Sequence, residues 1–350
     1  MIPVQNVYYM LSYAFRILNE QGYKSIETEE FHNVAELCAS ILIKGVSLQL
    51  KRGLGKEYIS YTDPLSSLRG KIDVTASIKD LSKKKGQLVC TYDDFSENSY
   101  MNRIIRTTMK LLVKSNISPA RKKEIKKLMV YFGEVDTLDV HAINWSMKFN
   151  RNNQSYRMLI SVCQLVIKGL LQTKSDGSTK LMDFLDDQQM HRLYEKFILE
   201  YYTTEYRHLN VRATASMMDW QVDDGFHDLL PKMKTDITLT CGDRTLIIDA
   251  KYYNRNLREQ FGKASIPAGN LYQIFTYVKT KEKELGQTPH EKVAGMLLYA
   301  QTEEEGKFNN EYQVMGNPIC ARTLDLSGDF SSIKRQLDDI AEKYLLVRAA

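Results

Sequence analysis

Thr235 to Lys251 reads TDITLTCGDRTLIIDAK, two apolar-alternating runs on either side of Gly242-Asp243. That dipeptide suits a two-residue hairpin turn with glycine in the first position. If those residues form the loop, Cys241 faces Arg244, and counting back pairs Asp236 with Asp249. Facing residues of an antiparallel pair hold their Cβ atoms roughly 4.5–5.5 Å apart. Lys251 shares the face of Asp249, because strand side chains alternate. One short hairpin thus carries two carboxylates and an ammonium on one surface.

Two adjacent carboxylates repel, and their neighbours here are apolar (Ile237, Leu246, Ile247, Ile248). Such a pair is tolerated when a divalent cation or a proton lies between them. Magnesium is commonly held by one or two carboxylates together with substrate phosphates. A nearby lysine orients the attacking water and offsets charge developing on the phosphate. The residue types point to metal-assisted phosphodiester hydrolysis. The alternative is a surface hairpin with solvated charges, since the D-x12-D-x-K spacing is loose.

Further residues narrow the choice. Gln273 and Tyr277 in NLYQIFTYV lie four apart, on one face of a helix. Glu195 lies upstream in MHRLYEKFILEYY, a second helical pattern with Leu193, Phe197 and Ile198 apolar. Helix-Glu, Asp, Asp-x-Lys and Gln-x3-Tyr in that order resemble the PD-(D/E)xK nuclease superfamily, in the branch with a downstream Gln-x3-Tyr. Thr235 stands where the superfamily's name leads one to expect proline.

The chain has 350 residues, room for two domains. With 43% hydrophobic and 26% charged residues it reads as an ordinary soluble, cytoplasmic globular protein. No apolar run approaches the roughly 20 residues of a membrane span, and no signal peptide opens the chain. Five scattered cysteines, never in a CxxC, predict reduced thiols rather than disulfides or zinc. Residues 1–150 carry 22 Lys+Arg against 16 Asp+Glu, whereas residues 151–350 carry 26 against 27. A mildly basic front half suits phosphates or an acidic partner.

The pattern predicts a helix over 1–20 with Asn6 as a plausible N-cap, then a second over 29–50. GLGK at 53–56 lacks the spacing of a P-loop, and no other stretch supplies one, so the chain is not expected to hydrolyse nucleotides. Short strands and turns follow over 57–95, with Pro64 as a break and Lys83-Lys84-Lys85 in a loop. Arg69 and Lys71 flank Gly70 and are candidate protruding contacts, although an ordinary charged turn explains them equally. Residues 96–115 read as a helix capped at Ser96 or Asn98 with Arg103, Arg106 and Lys110 on one exposed stripe, and Pro119 opens another bearing cations at 121, 122, 123, 126 and 127. This basic stripe suits a nucleic-acid backbone or simply solvent. Periodicity fades over 134–155, where a domain boundary is expected. An all-round apolar helix follows at 156–172, and a loop at 175–178.

IPVQNVYYMLSYAF, MNRIIRTTMKLL, and LLPKMKTDITLTCGDRTLIIDAKYY with NLYQIFTYV together resemble the McrC family, the nuclease subunits of McrBC modification-dependent restriction systems. The resemblance spans nearly the whole chain. It implies an α+β N-terminal docking domain over 1–150. An α/β PD-(D/E)xK restriction-endonuclease-like domain, a mixed sheet flanked by helices, would occupy 151–350. It further implies a partner, a McrB-like hexameric AAA+ GTPase that reads modified cytosine, so that GTP acts only through the partner. Carried over by position, Asp236, Asp249 and Lys251 match the nuclease triad, with Asp236, Asp249 and the Ala250 carbonyl on Mg²⁺. Manganese would suit the same oxygen ligands. Glu195 matches the superfamily's helical acid, a structural role weighing equally, and Gln273 and Tyr277 are supporting or DNA-contacting groups. Double-strand cutting needs two sites and favours pairing of two nuclease subunits on double-stranded DNA. A stand-alone repair nuclease and a non-catalytic adaptor of an AAA+ motor are the rival readings.

Overall fold

A computed structural model describes residues 2–15, 26, 29, 31, 33–80, 86–150, 153, 155–172, 187–223, 229–252, 258–260, 263–286, 292–301 and 307–346. The lysine triplet at 83–85 and the loop at 175–178 lie outside them. The chain divides into two compact units, one of Met1–His32 with Leu185–Ala350, the other of Asn33–Phe184. This differs from the expected division at residue 150 into consecutive halves. The reason lies in what two apolar helices pack against.

The first of them, α1 (Val4–Ala14), belongs with the C-terminal residues. Asn6 does not cap it: the residue is buried within the helix, and its Nδ2 donates to the Leu326 and Gly328 carbonyls at 2.8 and 2.7 Å. The side chain satisfies distant backbone instead of its own helix end.

The inserted unit begins with α2 (Val34–Arg52), whose N-cap Asn33 accepts from the Glu36 amide. Strands β1 (Glu57–Leu65), β2 (Lys71–Ile72) and β3 (Leu88–Ser96) form an antiparallel sheet with β3 in the middle. Pro64 does not end β1; it sits on an edge strand, where a missing amide costs nothing. Residues expected to continue as strand become α3 (Val74–Asp80), because Asp73 accepts the Ala76 amide on its side chain and the Ser77 amide on its carbonyl. Helix α4 (Tyr100–Lys114) is capped by Ser99 rather than Ser96 or Asn98, and α5 (Pro119–Met129) by Ser118. The second misplaced helix is α6 (Tyr156–Gln172), which packs against α2 and α4. Its buried Tyr156 hydroxyl donates to Asn102 Oδ1 and accepts from the Gly55 amide. Those bonds tie it to the front of the chain.

The remaining unit is built on a mixed sheet flanked by helices. Helix α7 (Asp187–Glu205) precedes β4 (Arg212–Thr214), then a short pair, β5 (Met217–Met218) with β6 (Met233–Lys234). The hairpin of β7 (Ile237–Cys241) and β8 (Arg244–Lys251) follows, and a small pair of β9 (Arg258–Gln260) with β10 (Lys263–Ser265). Helix α8 (Ala268–Glu284) leads to β11 (Val293–Ala300), β12 (Asn309–Val314), β13 (Asn317–Leu324) and the closing α9 (Phe330–Tyr344). Six strands are ordered β12-β13-β11-β8-β7-β4, with β11 parallel to both β8 and β13. Helix α8 makes the crossover that a parallel pair requires.

Both central strands are buried, as strands covered on two faces must be. On one face Ile247, Leu297, Tyr299 and Ile319 pack under Ile274, Tyr277 and Val278 of α8. Gly295 lets the helix settle there, since a Cβ would come within 2.8 Å of Ile274 and Val278 side-chain carbons. Helix α7 packs against β4, β7 and β8, and its buried Tyr202 donates to the Leu337 carbonyl of α9. Among the described residues no helix is long and apolar enough to cross a membrane.

Candidate active site

The hairpin register follows from its turn. Gly242 adopts φ +59°, a conformation glycine takes without strain, and Cys241 faces Arg244 as the sequence requires. Laddering ends at Ile237 with Ile248, so Asp236 stands one position further, opposite Asp249. There the strand pairing is replaced by a side chain: Asp236 Oδ2 accepts the Ala250 amide at 3.0 Å. Alternation along β8 puts Asp249 and Lys251 on the face of Ile247, beneath α8.

Asp249 is 1% exposed and Lys251 7%. Lys251 Nζ lies 2.8 Å from Asp249 Oδ2 and donates to Gln273 Oε1 at 3.2 Å. Gln273 Nε2 in turn donates to the Tyr277 hydroxyl at 3.0 Å, and that hydroxyl donates to the Lys234 carbonyl at 2.9 Å. The chain of bonds starts at Asp249 and returns to the residue two before Asp236. Helical spacing of four stacks Gln273 over Tyr277, so the relay is a direct product of α8.

Glu195, on α7, has a carboxylate oxygen 2.7 Å from His191 Nδ1, one turn earlier. It also acts on the carboxylates. Burial foremost, then the charges of Asp249 and Glu195, raise the Asp236 carboxyl from 3.8 to about 7, against the Ala250 amide, which lowers it. Near neutral pH the Asp236 carboxyl is therefore divided between its protonated and ionised forms, and protonation is one of the two ways the sequence allowed such a pair to exist.

The other way is a cation. Asp249 bears on it: Oδ2 has the Lys251 ammonium at 2.8 Å, while the buried Oδ1 accepts no hydrogen bond, and an orphaned carboxylate oxygen is costly unless a further positive ligand completes it. Among the described residues no group of three or more His, Cys, Asp or Glu is placed to hold a metal. The donor set on offer is two carboxylates and backbone oxygen, hard oxygen ligands of the kind magnesium or manganese takes.

Structure thus gathers Asp236, Asp249, Ala250, Lys251, Gln273 and Tyr277 at one end of β7–β8, with Glu195 close enough to act on Asp236. Arg69 and Lys71 are elsewhere, in the inserted unit. Arg69 is half-exposed, paired with Asp94 at 2.8 Å and lying 4.3 Å over the Tyr92 ring. Lys71 is exposed on β2, and Leu68, Val74 and Ile78, close by in sequence, are exposed as well. Of the basic stripe, Arg121 is held by Glu36 and Arg106 donates to the Gly133 carbonyl, leaving the stripe less free than the sequence suggests. Sequence reading missed His191, although its spacing of four from Glu195 was visible, and missed the hydroxyl residues packed behind Asp236.

A family model described as McrBC 5-methylcytosine restriction system component matches residues 4–300. Over 350 residues, 98% of each chain, the sequence is 29% identical to the Type IV methyl-directed restriction enzyme EcoKMcrBC of Escherichia coli (strain K12). Two solved assemblies from Thermococcus gammatolerans are also similar. One is a refined half-complex from a tetradecameric assembly of McrB AAA+ hexamers with bound McrC, at 17% identity, 97% of this chain, 76% of that one and a TM-score of 0.49. The other is a cryo-EM structure of the McrBC complex, at 18% identity, 58% of each chain and a TM-score of 0.41.

Proposed function

This chain belongs to the family of McrBC 5-methylcytosine restriction system components, and from that premise we propose that it is the nuclease subunit of a GTP-dependent restriction complex. It cuts phosphodiester bonds of modified, methylcytosine-containing DNA with a PD-(D/E)xK site, and its partner is a McrB-like hexameric AAA+ GTPase whose hydrolysis it stimulates. The observation that carries this reading is the facing pair Asp236 and Asp249 on a buried surface beside Lys251.

Asp236, Asp249 and the Ala250 carbonyl would hold Mg²⁺, or Mn²⁺, which supplies Lewis acidity and a water of lowered pKa. In the hydrolysis a water oxygen bonds to phosphorus, the bridging P–O bond breaks, and the proton released by water leaves through solvent or the departing oxygen. Lys251, buried and aimed by Gln273, sets its ammonium beside the position where phosphate charge grows. A fixed charge in a water-poor site is worth more than the same charge in solvent. Gln273, itself held by Tyr277, gives the Lys251 ammonium a second partner besides Asp249 and so fixes its direction. Glu195 adds negative potential at Asp236, which favours any positive ligand there, proton or cation. Each site breaks one strand, so a double-strand break takes two copies.

The inserted unit offers the docking surface in this reading, with Arg69 and Lys71 at its exposed turn. The deciding experiment is plasmid cleavage by the purified chain with Mg²⁺, with and without the GTPase and GTP. Cleavage only with both is expected. Cleavage by the chain alone would make it a stand-alone nuclease, and no cleavage with intact GTPase stimulation would make it an adaptor.

A further inference from the structure

Asp236 lies beyond the β7–β8 ladder, so something other than strand pairing must fix its main chain. The preceding residue, Thr235, is fully buried and bonds in two directions. Its amide donates to the Ser216 carbonyl at 3.0 Å, and its Oγ1 accepts the Ser216 amide at 3.1 Å. The same Oγ1 lies 2.8 Å from Thr238 Oγ1, while Ser216 Oγ lies 2.9 Å from Thr214 Oγ1. Thr214 and Thr238 are themselves a laddered pair of β4 and β7. Four hydroxyl residues from two stretches, 214–216 and 235–238, thus meet beside Asp236.

We propose that Thr235 is a positioning residue for the cation-binding carboxylate, its reciprocal bond with Ser216 fixing the direction in which Asp236 leaves the sheet. This rests on the reading of Asp236 and Asp249 as cation ligands. A ligand pair binds strongly only when its oxygens are held at the spacing the ion requires, and a loose carboxylate returns to its proton or to water. Proline at 235 would remove the amide that bonds Ser216, and with it the Oγ1 clamp, so the sheet edge here is organised around threonine. Serine keeps both bonds; valine keeps the shape and loses the hydroxyl.

The test is Mn²⁺ binding to the full chain, followed by electron paramagnetic resonance, for the unmodified protein, Asp249→Asn, Thr235→Val and Thr235→Ser, with melting temperatures recorded beside it. Thr235→Val is expected to bind Mn²⁺ roughly tenfold more weakly while still melting cooperatively, the worth of one or two buried hydrogen bonds. Thr235→Ser is expected to bind as the unmodified chain does. Equal Mn²⁺ affinity in folded Thr235→Val would overturn the positioning role while leaving the metal site intact. Should that variant not fold, Thr235→Ala, smaller and unable to clash, carries the same comparison. If the unmodified chain binds no Mn²⁺, or Asp249→Asn binds it equally, the cation reading itself falls and the role of Thr235 with it.

Discussion

Asp236 faces Asp249 one position past the last laddered pair, so the Ala250 amide is received by the Asp236 carboxylate and not by a neighbouring carbonyl. Main chain and titrating group are thereby coupled, and the protonation of one side chain bears on the end of a central strand.

The first prediction concerns pH. Burial, with Asp249 and Glu195, raises Asp236 to about 7 in the metal-free protein. Between about pH 4 and 7 the folded state keeps a proton that the unfolded chain has released. Stability therefore falls as pH rises through that window. Asp236→Asn should flatten the slope and make the metal-free protein more stable than the parent at pH 8. Urea unfolding at several pH values, with and without Mg²⁺, checks this, and a parent slope of opposite sign would refute it.

Lys251→Met leaves Asp249 buried without its counter-charge. Breaking a buried pair from one side costs roughly 3–5 kcal/mol. Unfolding free energy should fall by about that amount and cleavage should vanish, whereas Lys251→Arg should fold and cut poorly, its fork mismatched to Gln273.

Tyr277→Phe removes one hydroxyl and with it the bond to the Lys234 carbonyl and the acceptor for Gln273. The expected stability loss is about 1 kcal/mol. A supporting residue of this kind is worth roughly 10–100-fold in turnover. The fall should appear in kcat, with the KM for DNA little changed; an equal rise in KM would instead make Tyr277 a DNA contact.

Arg69 pairs with Asp94 in the open, so Arg69→Ala should cost under about 1 kcal/mol. Stimulation of the GTPase partner should nevertheless fall several-fold. An unchanged GTPase rate would take Arg69 off the docking surface.

Gly70 is different from its neighbours. It has φ +65°, and a Cβ there would lie 2.3 Å from the Thr91 carbonyl oxygen. Gly70→Ala should therefore destabilise the inserted unit by roughly 2–3 kcal/mol or more, through strain and a backbone clash. Hydrogen exchange of the Thr91 and Tyr92 amides would report it.

The site was legible where chemistry and periodicity coincide in a short stretch. Gly242-Asp243 set the register that pairs Asp236 with Asp249, and a spacing of four set Gln273 over Tyr277. Contacts between distant residues carry no such local signature. Val7, Met10 and Leu11 announce that α1 is buried but not against what, and the bonds of Asn6 to Leu326 and Gly328 reach across more than 300 residues. Strand β12 offers no alternation to read, because all six of its residues are exposed. Pro64 misled by its usual meaning, which an edge strand suspends.

The insertion of residues 33–184 between α1 and α7 also sets an order of events at the ribosome. The inserted unit is contiguous and can fold as soon as it emerges. Helix α1 waits through the synthesis of more than 150 residues before α7 appears, on the order of ten to thirty seconds at ordinary elongation rates. Its apolar face needs shelter during that interval. Strand β13 and helix α9 follow Asp236, Asp249 and Lys251 in the chain, so the sheet and its helix layer are completed only after the site residues have been made.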